Sequence, residues 1–217
     1  MNRRTFIRQA TTAGVGLALA GKFATLARAA GSPSANRRLR IAIAGTNSRG
    51  LAHVALFGAV PDVEIAYICD VDDRAIVKGL EATAKVQTTV PKGVRDFRRA
   101  LEDPSIDALT IATPDHWHAP MAILALAAGK HVFVEKPCSH NPREGELLIA
   151  AANKAGRVVQ MGNQRRSFPA MQEAIAQIHE GAIGRAYSAR AWYANSRTSI
   201  GRGQKTPVPS WLDYDLW

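Results

Sequence analysis

From Leu39 onward, short apolar runs alternate with stretches of helical spacing. LRIAIAG (39–45), VEIAYICD (63–70), ALTIATP (108–114), HVFVE (131–135) and RVVQMG (157–162) are rich in β-branched residues and apolar almost throughout. They predict strands buried on both faces. Between them the spacing predicts helices over 49–60, 73–86, 96–103, 118–130 and 142–155. The fourth is closed by Gly129, and the fifth has Pro142 in its first turn and Gly156 after its end. Buried strands alternating with helices make an α/β fold, and right-handed crossovers make its parallel sheet doubly wound. Ligands of such sheets sit at the carboxyl ends of the strands. Gly45, Asp70, Thr113, Pro114, Glu135, Lys136 and Gly162 all fall there.

Another helix is expected over 168–180, and residues 184–194 alternate like a half-exposed strand. A single strand with one wet face forms no stable sheet alone. Residues 163–217 therefore read as the beginning of an α+β sheet domain that this sequence does not complete. The expected organisation is a leader over 1–29, a linker over 30–38, a Rossmann dinucleotide-binding domain over 39–162 and that unfinished domain after it.

Charge narrows the partners. The formal net charge is +10, but Arg3, Arg4, Arg8, Lys22 and Arg28 all lie in residues 1–29, which hold no acid. Without those five the remainder carries +5, ordinary for a soluble domain. Arg37, Arg38 and Arg40 form a short solvated lead-in, and no nucleic-acid partner is indicated. The start, MNRRTFIRQ, followed by a Gly- and Ala-rich apolar run and Ala27-Arg28-Ala29, reads as a cleaved signal peptide. The run is too short and weakly apolar for a membrane span. Arg3-Arg4-Thr5-Phe6-Ile7-Arg8 resembles the twin-arginine export signal, so a periplasmic location is expected. The two cysteines, Cys69 and Cys138, end strands far apart in the chain, which predicts two free thiols and no disulfide.

The chemistry begins at GTNSRG, Gly45-Thr46-Asn47-Ser48-Arg49-Gly50, between the first strand and the first helix. This is the context of a dinucleotide fingerprint. Gly45 permits the tight turn and Gly50 close helix–strand packing. Asn47 replaces the middle glycine, and asparagine tolerates a left-handed backbone there. Asp70, at the end of the second strand, is placed to accept both ribose hydroxyls of the adenosine half and to repel a 2′-phosphate, which favours NAD over NADP. Asp72 is the expected cap of the helix that follows. His116 and His118 lack the Cys or acid cluster of a zinc site, so no metal is expected.

These segments resemble the glucose–fructose oxidoreductase / inositol dehydrogenase family, written Gfo/Idh/MocA. The resemblance rests on GTNSRG (45–50), ICDVD (68–72), ATPDHWHAPMA (112–122), AGKHVFVEKP (128–137) and MGNQRRSFP (161–169), and it covers about residues 38–217. The start and the closing WLDYDLW resemble its exported bacterial branch. The resemblance implies an oxidoreductase that moves hydride from a sugar, polyol or related carbohydrate to nicotinamide. It implies that Lys136, in Glu135-Lys136-Pro137, hydrogen-bonds the reacting hydroxyl and helps move its proton. A partly desolvated lysine beside a cationic ring suits that task. Glu135 would steady the ammonium, and Pro137 would hold an unusual, cis bond that aims it. Thr113 and Pro114 match the loop under the cofactor. His118 is open to two roles, cofactor contact or helix-start packing, and Trp117 to covering the nicotinamide or filling the crevice. Gln164 and Arg166 match the polar residue and the arginine at the crossing into the second domain. Relatives that are NAD-dependent, redox-neutral glycosidases share the same residues, so glycoside cleavage stands as an alternative. A non-catalytic nucleotide-binding fragment is a third, because the family's second catalytic element lies in the missing C-terminal domain. An oligomer is expected only of the full-length protein.

Overall fold

The computed structural model describes residues 38–217. The leader and, apart from Arg38, the linker lie outside the described residues. The five apolar runs form strands, and one further strand, β3, joins them, so that the described residues hold β1 (Leu39–Ala44), β2 (Val63–Cys69), β3 (Lys92–Val94), β4 (Ala108–Ile111), β5 (His131–Glu135) and β6 (Val159–Gly162). All neighbours pair in parallel, in the order β3-β2-β1-β4-β5-β6. This is the doubly wound order expected, with its switch point between β1 and β4. The helices are α1 (Arg49–Gly58), α2 (Asp73–Thr83), α3 (Arg98–Glu102), α4 (His118–Ala127), α5 (Pro142–Ala155) and α6 (Pro169–His179).

Alternation within the strands feeds two cores. Ile41 and Ile43 of β1 pack with Ile65, Ile68 and Val54 beneath α1 and α2. Ala42 and Ala44 join Leu109, Ile111, Val132 and Val134 against α4 on the other face. Each fully buried Ile or Leu is worth about 1.5–3 kcal/mol relative to exposure. Ala119, Ala122 and Ala125 are wholly buried in α4 and let that helix lie close to the sheet. The β1–β2 register shifts between Ile41 and Ala42. Ala66 and Tyr67 consequently fall in the same core although they are adjacent in sequence.

The helix ends follow the expected chemistry. The Asp72 side chain accepts from the Arg74 N–H and caps α2. Asn141 caps α5, Pro142 opens it and Gly156, at φ +59°, closes it. Cys69 and Cys138 are both free, as expected, and burial pushes the Cys69 thiol far above its ordinary range.

Two expectations need correcting. Lys-Gly-Val at 92–94 pairs with Tyr67–Cys69 as an edge strand, although this three-residue sequence carries no strand signal. Residues 184–194 form no strand. They are exposed throughout, and no neighbouring strand among the described residues offers a ladder for their backbone groups. α6 forms as expected but buries none of its residues. The chain then returns to the body, where Leu212 makes an antiparallel bridge with Asp72 at the end of β2. No helix of the described residues is long and apolar enough to cross a membrane.

Candidate active site

The turn after β1 is built from backbone proximity. Gly45 has φ +86°, and a Cβ there would lie 2.6 Å from the Ala112 carbonyl group and the Thr113 nitrogen. A Cβ on Gly50 would come within 1.9 Å of the Gly45 oxygen. The two glycines therefore do what their places in the motif require, a tight turn and a close helix. Thr46 is fully buried, and its hydroxyl donates to the Ala75 carbonyl at 2.7 Å. It holds the turn from below and presents no side chain to the crevice. Asn47 departs from expectation. Among the described residues positive φ occurs only at glycines, so the turn passes Asn47 without a left-handed residue, and its side-chain oxygen accepts from Lys78 at 2.8 Å. Ser48 starts α1 without a side-chain cap bond, which leaves the helix's first amides without a side-chain acceptor.

Asp70 closes β2 beside this turn. One of its oxygens accepts from the Thr46 N–H at 2.8 Å and the other from the Asp72 N–H at 3.1 Å. A carboxylate offers about four acceptor sites, so Asp70 keeps capacity for further donors. Burial pushes the Asp70 carboxyl above its ordinary range, and the backbone bonds from Asp72 and Thr46 work against that rise. Gly45, Asn47, Ser48, Arg49, Asp70, Thr113 and Pro114 line one cavity of about 430 Å³, within the range of small-ligand sites. Trp117 belongs to the same cavity, edge-on to Phe97 with ring centroids 5.9 Å apart.

The other end of the crevice centres on Glu135. Its carboxylate is buried and accepts from Arg49 Nε at 2.6 Å and His53 Nε2 at 3.1 Å. The Lys136 backbone N–H lies 3.3 Å from its second oxygen. Glu135 was expected to steady the Lys136 ammonium. Instead it pairs with α1, because Arg49 and His53, four residues apart, lie on one helix face above it. Lys136 is exposed at the end of β5, and the Lys136–Pro137 bond is cis. His118 is buried, with Nδ1 2.5 Å from the Pro137 oxygen and Nε2 2.8 Å from the Thr113 oxygen. Both ring nitrogens are turned to protein carbonyls, so His118 joins the loop after β4 to the loop after β5. Gln164 lines a second cavity with Arg49, His53 and Gly162, whereas Arg166 lies outside both. His53 went unread in the sequence, although its spacing from Arg49 is a usable signal.

The cluster sets a pH dependence. Burial holds the His53 ring below its ordinary value of 6.5, although Glu135 pulls it upward. A depressed folded value means that the neutral ring is favoured in the native state. His53 thus contributes stability that is present above pH 6.5 and is lost as pH falls toward its folded value. Burial works to raise Glu135, but the Arg49 and His53 bonds outweigh it and hold the carboxyl below its ordinary 4.5, so its contribution is lost at still lower pH. Urea unfolding of the wild type should weaken below pH 6.5, by at most about 1.4 kcal/mol per pH unit for this one proton. His53→Gln should remove that slope between its upper limit and the carboxylate range. A slope unchanged in the variant would assign it elsewhere.

Sheet order, glycine turn, an acid after β2 and a lysine after β5 are the features of a nicotinamide-dinucleotide domain. The chain belongs to the Gfo/Idh/MocA oxidoreductase family, whose NAD-binding Rossmann-fold model matches residues 39–163. A glycosyl hydrolase family 109 protein of Saccharopolyspora erythraea is 32% identical over 84% of this chain and 43% of its own length. Levoglucosan dehydrogenase of Pseudarthrobacter phenanthrenivorans is 31% identical over 72% of this chain and 41% of its own. The chain thus spans about two fifths of the length of these curated relatives. Among solved structures, the WlbA dehydrogenase of Bordetella pertussis, in complex with NADH and UDP-GlcNAcA, superposes with a TM-score of 0.62 at 26% identity, over 69% of this chain and 44% of that one.

Proposed function

We propose that this chain is the cofactor half of an NAD-dependent oxidoreductase that acts on a sugar, polyol or related carbohydrate. The observation that carries the reading is the placement of Asp70 and Lys136 at the carboxyl edge of one sheet, on either side of the Gly45 turn. Asp70 accepts the ribose hydroxyls. The turn and the start of α1 receive the pyrophosphate. Lys136 hydrogen-bonds the reacting hydroxyl of the substrate and takes up its proton as the carbinol becomes a carbonyl. Glu135, His118 and the cis bond hold the lysine's loop in place. When bound, NAD supplies the hydride acceptor. Residues 163–217 are read as the start of the substrate domain, a reading supported by the unburied α6. The amino-terminal Arg3-Arg4 segment supports export to the periplasm, and fractionation that leaves the protein in the cytoplasm would overturn that part.

The test is calorimetric binding of NAD and NADP to wild type and Asp70→Asn. Asparagine keeps an acceptor for the Thr46 amide and removes the charge. The wild type should prefer NAD by at least about tenfold, or 1.4 kcal/mol, and the variant should lose most of that preference. An unchanged preference in the variant would remove Asp70 from the ribose site.

A second reading, redox-neutral glycoside cleavage by the same residues, is favoured by the family 109 relative, which covers more of the chain than the dehydrogenase does. Nitrophenol release from nitrophenyl glycosides without net NADH would select it. NADH accumulating with a free sugar would select the dehydrogenase.

A further inference from the structure

Beyond the cofactor motifs, the adenosine side of the crevice has a wall that none of them supplies. Residues 209–217 run across it. At one end they are fastened to the segment that follows Asp70. The Asp213 N–H donates to the Val71 carbonyl at 2.9 Å, the Asp73 N–H donates to the Trp211 carbonyl at 3.0 Å, and Leu212 bridges Asp72. The Arg74 guanidinium lies 3.2 Å from the centre of the Trp211 ring, and Arg95 donates to the Ser210 carbonyl at 3.3 Å. At the other end the Trp117 Nε1–H donates to the Trp217 backbone oxygen at 2.8 Å, and His116 Nε2 lies at the same distance from it. Trp217 also stacks on Tyr214 with a centroid separation of 5.9 Å and an interplanar angle of 8°. Between these anchors Trp211, Leu212, Leu216 and Trp217 line the cavity that Asp70, Asn47 and Thr113 line from the sheet.

We propose that this segment is a strap that forms the outer wall of the adenosine subsite, with Trp211 and Trp217 holding the purine against the strand ends. The inference rests on the dinucleotide reading above. Two features support a purine rather than a sugar. The strap attaches one to three residues beyond Asp70, the ribose-binding end of the sheet, and Lys136 is absent from this cavity. What the strap adds is apolar and aromatic, the surface on which a base stacks and a hydroxylated ring gains little. The same contacts occupy the cations nearest the ribose edge. Arg74 is held by Asp72 and the Trp211 ring, and Arg95 by Asp73 and the Ser210 carbonyl.

The test is calorimetry on the full chain with NAD and ADP-ribose, for wild type, Trp211→Ala, Trp217→Ala and Trp211→Phe. Each alanine variant should bind both ligands about 10- to 100-fold more weakly, by the same factor for the two, because the loss lies wholly in the adenosine half. Trp211→Phe keeps a stacking face and should stay close to wild type, which separates a wall from a fold-stabilising contact. Thermal unfolding without ligand identifies any variant that fails to fold. Unchanged affinity in both alanine variants, tighter binding that marks the strap as a competitor, or loss of NAD without loss of ADP-ribose would each overturn the strap while leaving the dinucleotide site standing. A wild-type chain that binds neither ligand would overturn both.

Discussion

On the function proposed above, Lys136→Ala in the full-length protein should retain NAD affinity and lose turnover by about 10²- to 10⁴-fold, the range contributed by a positioned acid–base group. Lys136 follows a residue that cannot move freely: Glu135 is buried and fixed by Arg49 and His53. The lysine itself is exposed at the ligand edge, so its removal leaves no cavity and no unpaired buried charge. The loss should therefore appear in catalysis and not in stability. Measured as NADH formation over a panel of sugars and polyols, kcat and kcat/KM should fall together, the signature of a contact made in the transition state. Lys136→Arg places a permanent positive charge at the site, but an always-protonated guanidinium cannot take up the hydroxyl proton. It should fail to rescue turnover. Recovery in the arginine variant would make the residue an electrostatic clamp and end the proton-transfer role.

Gly45→Ala should lower stability by about 2–5 kcal/mol, from adding the strain of a left-handed residue to that of a forced contact. The added methyl would meet the Ala112 carbonyl and the Thr113 amide at 2.6 Å. These are backbone atoms of a central strand end, with no side chain to swing aside. Shifting them moves the loop that His118 ties down, so NAD binding should fall as well. Gly156→Ala is the control. Its φ is +59°, yet nothing lies within 4 Å of the added Cβ, so only the left-handed term of about 1–2 kcal/mol applies. Denaturant unfolding of the two variants separates the terms. Equal losses would show that the close approach at Gly45 costs nothing.

Much of this architecture was readable from local pattern. A strand buried on both faces must be apolar at every position, and β1, β2, β4 and β5 all announced themselves that way. The punctuating residues, Gly45, Asp72, Pro142 and Gly156, mark the ends of elements because few other residues meet the backbone geometry or capping need at those sites. The carboxyl-edge placement of Asp70 and Lys136 followed from their positions at the end of the second and just after the fourth of the five apolar runs of a parallel sheet. β3 escaped because a three-residue edge strand, Lys-Gly-Val, is too short to show alternation or an apolar run. The strand expected at 184–194 did not form, since alternation describes a surface and supplies no partner.

The amino-acid pattern alone thus specified the doubly wound sheet, the glycine turn and the acid and lysine at its edge, because these depend on neighbours within a few positions or on a uniform burial rule. The partner of Glu135 lies 86 residues away on α1, and the donor to the Trp217 oxygen lies 100 residues away at Trp117. No periodicity encodes such pairings. They come into being only when the helix is laid on the sheet and the last segment crosses the crevice, and packing then decides which of several available cations, carbonyls and rings come within bonding distance.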